Sequence, residues 1–321
     1  MAVYTELTKS DISEFLNSYK IGDLITFEGI IEGVENSNFK LNTSKNNFIL
    51  TVFEKRVDSK DLPFFIKLMN HLYKKNIKCP CPIIDIDGNY IKEIKDKPSV
   101  IVSYVQGKWI KSIKNIHCEQ LGQNLAKMHL ASNDFKLPRY NSMGMNEWSS
   151  LFSNFNSERK SQYNEIYDII KKELIFLKKE WPKDLPSGVI HADLFQDNVF
   201  FENDIFSGII DFYFACNDFY AYELAVCLNA WCFERDQSFN ITKARLILNN
   251  YQKERPLIKK EKEYFPILSR GAALRFLLTR LNDLIFHPKD AKVNPKNPVE
   301  YLKILQFHQK IKSISEYGLD N

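Results

Sequence analysis

The apolar positions in the first third of the chain fall into short runs that are separated by turn residues. Runs near residues 24–30, 38–43 and 47–53 predict three strands. Before them, Thr8 followed by Asp11 predicts a helix start, because each side chain can accept a hydrogen bond from the other residue's backbone N–H. After them, apolar residues recur at helical spacing and predict a helix over residues 62–75.

Two more strands are predicted near residues 83–85 and 99–105, on either side of a turn at residues 87–89. Beyond residue 107 the apolar period becomes helical, and it predicts helices over residues 117–130, 162–181, 222–234, 242–253 and 269–286. The pattern therefore predicts an α+β chain with a β-rich N-terminal lobe, residues 1–104, and a larger helical lobe, residues 105–321.

Composition and charge exclude several classes of protein. Of the 321 residues 44% are hydrophobic, which is ample for a core and excludes global disorder. The net charge of +4 comes from scattered lysines without the basic stripe of a nucleic-acid binder. No stretch approaches the roughly 18 apolar residues of a membrane span. The six cysteines lack metal-ligand spacing, and free cysteines are typical of a cytoplasmic protein. Together these features lead us to expect a cytoplasmic protein that binds neither nucleic acid nor membrane.

The most informative stretch places four polar residues on or beside apolar, β-prone runs. His191, Asp193 and Asn198 come first, and Asp211 follows thirteen residues after Asn198. Phosphoryl transfer needs a positioned hydroxyl, a base close to it and cations on the phosphates. Asp193 suits the base, and Asn198 and Asp211 offer the oxygen ligands that Mg²⁺ prefers. Four such residues at this spacing favour a kinase over a set of turn and cap residues.

The same residues carry a family resemblance. The H-x-D-x-x-x-x-N pattern followed by I-D-F resembles the catalytic and metal-binding loops of the protein-kinase-like fold, and the missing Arg after His191 is typical of its aminoglycoside phosphotransferase and choline kinase branch. Segments such as 32–39, 48–57 and 221–231 resemble bacterial homoserine kinases. The resemblance implies a two-lobe α+β fold with a small antiparallel-sheet N-lobe and a mainly helical C-lobe.

The resemblance also implies roles for individual residues. Asp193 is expected to take or orient the proton of the acceptor hydroxyl, His191 to brace the loop, and Asn198 and Asp211 to hold Mg²⁺. For ATP, the turn with Gly33, Ser37 and Asn38 is expected to cover the phosphates, and Tyr104 and Val105 to form the hinge against adenine. These expected ATP-binding residues are Gly33, Ser37, Asn38, Tyr104 and Val105.

One position departs from the kinase pattern. Thr51 occupies the strand position where these kinases usually carry a Lys or Arg for the phosphates, and the helix predicted over residues 62–75 contains no Glu to pair with such a cation. Both halves of the usual ion pair are therefore missing together. Lys40, Lys55 and Arg56 are possible substitutes, although each also suits a solvated strand end.

The acceptor implied by the resemblance is L-homoserine, whose phosphorylation serves threonine biosynthesis. A zwitterion needs a cation for its carboxylate and an acid or carbonyls for its ammonium group. The candidates for lining this pocket are Asp218, Tyr222, Glu223, Arg270, Arg275 and Arg280. Two alternatives stay open: a related kinase for choline, methylthioribose or an aminoglycoside, and a nucleotide-binding pseudokinase. Aromatic residues after Asp211 make a choline cage conceivable.

Overall fold

The computed structural model describes residues 5–30, 36–54, 58–155, 164–286 and 295–319. The chain forms two compact units, residues 1–107 with 207–213 and residues 108–206 with 214–321. The segment that carries Asp211 is thus grouped with the N-terminal residues. The boundary at residue 104 that we drew from the sequence stays a prediction.

The first unit is built on a five-stranded antiparallel sheet. Thr8 and Asp11 cap the first helix reciprocally, as predicted. The sheet has the order β1-β2-β3-β5-β4, and a buried apolar cluster lies between it and the first helix. Its elements are α1 (Lys9–Leu16), β1 (Leu24–Ile30), β2 (Ser37–Thr43), β3 (Asn47–Val52), α2 (Leu62–Lys74), β4 (Ile91–Ile94) and β5 (Lys97–Ser103).

The strand predicted at residues 83–85 is wrong. This segment contributes an isolated bridge at Pro82 and a hydrogen bond from Ile83, while Ile91–Ile94 supplies the edge strand. The reason is local, because the Asp85 carboxylate accepts hydrogen bonds from the backbone N–H groups of Asp87 and Asn89 and so starts the turn early.

The second unit is mainly helical. Its helices are α3 (Asn115–Ala131), α4 (Met145–Ser153), α5 (Asn164–Glu180), α6 (Tyr220–Trp231), α7 (Ile241–Glu254), α8 (Lys259–Ile285) and α9 (Pro298–His308). Gly122 allows helices α3 and α7 to pack closely, since a Cβ atom at this position would collide with the carbonyl oxygen of Ile247. Among the described helices, none combines the length and apolarity needed to cross a membrane.

Four short strands complete the fold around the polar loop. Strand β6 (Ser187–Ile190) pairs antiparallel with β9 (Cys216–Phe219), and β7 (Val199–Glu202) pairs with β8 (Ile205–Ile209). The loop with His191, Asp193 and Asn198 leaves β6 and enters β7. The pairing of β6 with β9 therefore fixes the point where this loop begins.

Candidate active site

The loop after β6 brings three of the four polar residues into contact. The Asn198 side-chain Nδ2 donates to the carbonyl oxygen of Asp193 at 2.8 Å and lies 3.3 Å from its carboxylate Oδ2. The Asp193 backbone N–H donates to His191 Nδ1 at 3.3 Å. His191 is fully buried, and this hydrogen bond is consistent with the bracing role predicted for it, which stays a prediction. Asp193, taken as a whole residue, is partly exposed.

Ala192 holds this loop in a strained conformation. Its φ of 65° lies in the left-handed region, which is costly for a residue with a Cβ atom. Its N–H donates to Glu223 Oε1 at 2.6 Å, and its carbonyl oxygen accepts a hydrogen bond from Arg275 Nη1. Two buried side chains thus stabilise the peptide groups immediately before Asp193.

Glu223 belongs to a buried chain of hydrogen bonds. Its Oε2 lies 2.7 Å from His129 Nε2, and His129 Nδ1 lies 2.7 Å from the Tyr251 hydroxyl. Burial acts to raise the pKa of Glu223, but the hydrogen bond from His129 helps hold that pKa below its ordinary value. Burial lowers the pKa of His129, so a neutral imidazole can donate to Glu223 and accept from Tyr251.

The electrostatics around Asp193 combine burial with positive charge. Burial raises the pKa of the Asp193 carboxyl, while the charge of Arg275 acts in the opposite direction. A carboxylate whose pKa is raised is a stronger proton acceptor than an ordinary solvated one, provided that it stays ionised. The local environment therefore suits Asp193 to proton transfer.

Asp211 lies in the first unit, two residues after β8 ends. It is exposed and has a φ of 62°, so its backbone is strained like that of Ala192. Upstream, Gly208 makes room for a neighbour, since a Cβ atom there would come within 2.8 Å of Val105 Cγ1. Ile209 N–H donates to the carbonyl oxygen of Lys78 at 2.9 Å. The strand before Asp211 is thereby fixed beside Val105, one of the expected hinge residues.

The other expected ATP-binding residues have distinct surroundings. The buried Ser37 Oγ donates to Glu54 and accepts from the Thr5 N–H, so a phosphate contact from Ser37 would use its backbone. Asn38 Oδ1 accepts from Thr51 Oγ1 at 2.7 Å. The Tyr104 N–H donates to the Asn47 carbonyl oxygen at 3.4 Å, so this end of β5 continues the sheet. Gly33 lies outside the described residues.

Neutral groups surround the position of the missing cation. Thr51 is buried, and its hydroxyl donates to Asn38 Oδ1. Among the possible substitutes, Lys40 lies 3.6 Å from Glu28 and 5.1 Å from the centre of the Tyr104 ring. The other two, Lys55 and Arg56, lie outside the part of the chain that the structure describes.

The aromatic residues after Asp211 pack as core. The Tyr213 ring contacts Phe53 and Phe65 edge-on, at centroid distances of 5.0 and 5.7 Å. Tyr222 and Trp231 are fully buried. These three rings are engaged in packing, which argues against their forming an open choline cage.

Sequence reasoning named Glu223 and Arg275 only as candidates for the acceptor pocket, and it missed their contacts with Ala192. These contacts join the loop to two helices that lie 31 and 83 residues further along the chain, so no local pattern could show them. Within the described residues, no group of three or more His, Cys, Asp or Glu side chains is arranged to hold a metal ion.

Comparison with known proteins fits this geometry. Residues 26–257 match the model of the phosphotransferase enzyme family. The homoserine kinase of Agrobacterium fabrum is 48% identical over 319 residues, which cover 99% of both chains. The homoserine kinase of Parvibaculum lavamentivorans is 51% identical over 320 residues, which cover 100% of both chains. The chain belongs to the homoserine kinases of the phosphotransferase enzyme family.

Solved structures share the fold of this chain at low sequence identity. An amicoumacin kinase in complex with AMP-PNP, Ca²⁺ and Ami has a TM-score of 0.72 at 12% identity, with 95% of this chain and 93% of that chain covered. The choline kinase of Cryptosporidium parvum has a TM-score of 0.68 at 13% identity, with 97% of each chain covered. The α+β fold predicted from the sequence is thereby confirmed.

Proposed function

We propose that this protein transfers the γ-phosphoryl group of ATP to the side-chain hydroxyl of L-homoserine, giving O-phospho-L-homoserine and ADP. The observation that carries the proposal is the identity of about half of all residues, over the whole chain, with curated homoserine kinases. The proposal also gives the protein a place in threonine biosynthesis in the cytoplasm.

Asp193 is the proposed catalytic residue. The homoserine hydroxyl oxygen forms a bond to the γ-phosphorus while the bond from that phosphorus to the ADP oxygen breaks, and the hydroxyl proton passes to the Asp193 carboxylate late in the step. The hydrogen bonds from Asn198 to Asp193 support this role, because they limit the positions that the carboxylate can take. Hydrogen bonds from the loop to His191 and Glu223, and from Arg275 to the loop, restrict the conformation of the same loop.

Asn198 and Asp211 are the proposed protein ligands of Mg²⁺, which neutralises charge on the ATP phosphates when bound. Since Nδ2 of Asn198 is used on Asp193, its Oδ1 is the atom suited to a cation. A pair of protein oxygens is enough, because Mg²⁺ usually takes one or two carboxylates together with phosphate oxygens and water. For ATP we propose the backbone of the segment with Gly33, Ser37 and Asn38 at the phosphates, and the Tyr104–Val105 backbone at adenine.

An acceptor panel tests the function. ADP release with Mg·ATP would be measured against L-homoserine, choline, methylthioribose, L-threonine and kanamycin. We expect kcat/KM for L-homoserine to exceed that for each other acceptor by at least about 100-fold, since the site must pair both charges of the amino acid. A higher kcat/KM with another acceptor would refute the substrate, and nucleotide binding without turnover on any acceptor would favour the pseudokinase.

A further inference from the structure

The three arginines of α8 have different partners. Arg270 binds the Glu173 carboxylate through two nitrogens, at 2.6 and 2.7 Å. Arg280 binds the Glu300 carboxylate at 2.6 Å. Arg275 forms no ion pair with any residue that the structure describes, although it lies on the same helix. Of the three guanidinium groups, that of Arg275 therefore retains the capacity to bind an external carboxylate.

Arg275 lies beside the catalytic loop. Only 3% of its surface is exposed, and its Nη1 donates to the carbonyl oxygen of Ala192, the residue before Asp193. Its guanidinium carbon lies 4.3 Å from the centre of the Phe276 ring. Its buried Nε has no hydrogen-bond partner within the described chain. A buried charged donor without a partner is costly, so this nitrogen calls for an acceptor that a bound anion would supply.

Tyr222 presents a second donor of the same kind. It is fully buried, and its hydroxyl also lacks a hydrogen-bond acceptor in the described part of the chain. Arg275 is close enough for its charge to oppose the rise that burial causes in the Tyr222 pKa. Two buried donors that lie near one another and near the catalytic loop match the two oxygens of a carboxylate.

Asp218 supplies negative charge nearby. Asn141 Nδ2 donates to its Oδ2 at 2.6 Å, and the Phe219 N–H donates to its Oδ1 at 2.7 Å, so the carboxylate is held in one orientation. It is partly exposed and interacts electrostatically with Arg275. Glu223 is fully buried in its contacts with Ala192 and His129, so the partly exposed Asp218 is the carboxylate suited to an external cation.

We propose that Arg275 and Tyr222 bind the α-carboxylate of the amino-acid acceptor and that Asp218 binds its α-ammonium group. The proposal rests on the function proposed above and assigns the recognition of homoserine within that site. Arg275 holds the peptide before Asp193. A short amino acid whose carboxylate is bound by Arg275 can therefore place its hydroxyl within reach of the Asp193 carboxylate. These three residues and Asp193 all belong to the second unit.

Truncated acceptors separate recognition from mere support of the loop. 3-Amino-1-propanol is homoserine without its carboxylate, and 4-hydroxybutyrate is homoserine without its ammonium group. For wild type and Arg275→Gln, the ratio of kcat/KM for L-homoserine to that for 3-amino-1-propanol would be measured. We expect Arg275→Gln to lower this ratio about 30- to 100-fold, because a charge-assisted hydrogen bond is lost only with the acceptor that has a carboxylate.

Asp218→Asn gives the complementary result. It should leave the ratio of kcat/KM for L-homoserine to that for 3-amino-1-propanol almost unchanged, because L-homoserine and 3-amino-1-propanol both carry an ammonium group. It should lower the ratio of L-homoserine to 4-hydroxybutyrate by about 10-fold or more. Tyr222→Phe removes a single oxygen and should lower kcat/KM for L-homoserine several-fold while the fold stays intact. Calorimetric titration of homoserine into the ADP-bound variants supplies the same comparison where turnover is slow.

The matched control is Arg280→Gln, the same chemical change on the same helix at an arginine with its own carboxylate partner. It should leave both ratios at the wild-type value. An equal loss of kcat/KM for all acceptors in Arg275→Gln, with normal ADP binding, would mean that Arg275 only supports the loop and would overturn the proposal. Wild-type protein that fails on homoserine would instead refute the proposed function.

Discussion

At the scale of single residues, Thr51 is the position where this chain departs from the pattern of related kinases. Its hydroxyl donates to Asn38 Oδ1 at 2.7 Å, so a neutral pair of side chains occupies the place of the usual strand cation. Helix α2 contains no Glu that could pair with a cation there. The strand and the helix are therefore consistent with each other without the ion pair.

Restoring the lysine should harm the protein. Thr51 is only 2% exposed, so Thr51→Lys would bury an ammonium group without an acidic partner on α2 and would overfill the site, at a cost of about 1–3 kcal/mol in the free energy of unfolding. Thr51→Val keeps the shape and loses one hydrogen bond, at about 1 kcal/mol. Chemical denaturation and kcat/KM for ATP check this, and a Thr51→Lys variant that is both stable and faster with ATP would refute it.

Several of the proposed site residues could be named from the sequence because their spacing carries the information. The contact of Asn198 with Asp193 and the bracing by His191 follow from residues within one short loop. The contact of Arg275 with Ala192 could not be predicted in this way. It joins positions 83 residues apart and depends on how α8 packs in the second unit.

At the scale of elements, prediction succeeded where hydrophobic periodicity was strong. The strands at Leu24–Ile30 and Asn47–Val52 and the helix at Leu62–Lys74 lie within two residues of the predicted bounds. Helix α8 begins at Lys259, ten residues before the prediction, because its first turns are mostly charged and it contains Pro266. The short helices Met145–Ser153 and Pro298–His308 were missed, since each offers too few turns for a clear period.

Helices α3 and α6 are connected to the loop before Asp193 through Glu223. The residue lies on α6 and connects Ala192 of the loop to His129 of α3. We expect Glu223→Ala to lower the free energy of unfolding by about 1–3 kcal/mol for each of the two partners left unsatisfied. We expect kcat to fall at least about 10-fold, with little change in KM for ATP, because the loop loses its support.

Glu223→Gln is the graded control for this prediction. Its amide oxygen can still accept from the Ala192 N–H, and its amide nitrogen can donate to the other tautomer of His129. It should therefore retain more stability and more kcat than Glu223→Ala. Thermal unfolding and steady-state kinetics on the two variants give the comparison. Equal kcat in wild type and Glu223→Ala would show that the hydrogen bonds do not position Asp193.

At the scale of the whole molecule, buried histidines should make stability depend on pH. Burial lowers the pKa of His308 from 6.5 to about 3, and its ring nitrogens lie 2.8 Å from the Tyr317 hydroxyl and 2.6 Å from Asn229 Oδ1. The unfolded chain takes up this proton near pH 6.5, whereas the folded protein does so only near pH 3. The free energy of unfolding should therefore decrease as the pH falls below about 6.5.

The His308 contribution can be isolated by substitution. Between pH 7 and pH 5 it should amount to about 2 kcal/mol, since each unit of pKa difference corresponds to about 1.4 kcal/mol. His308→Gln removes the titrating group and should reduce the loss between the two pH values by that amount, even if it lowers stability at both. Urea denaturation of both proteins at pH 7 and pH 5 measures the difference. An unchanged loss in the variant would refute the account of His308.

The fold class could be predicted from the order of strands and helices, and it is confirmed by the structural relatives. The grouping of residues 207–213 with the N-terminal unit could not, because it is a property of packing and not of periodicity. The residues that bind the acceptor could not be predicted for the same reason, since those proposed here come from three separate elements, β9, α6 and α8.

The most direct test of the account is to identify the phosphorylated product. Phosphorus NMR would follow wild-type protein and Asp193→Asn with Mg·ATP and L-homoserine. We expect wild type to form a phosphomonoester that couples to the side-chain methylene protons, in an amount equal to the ADP released. The rate should fall at least about 100-fold in Asp193→Asn, because the proton acceptor is lost. Release of ADP with inorganic phosphate alone, or an equal rate in Asp193→Asn, would contradict the account.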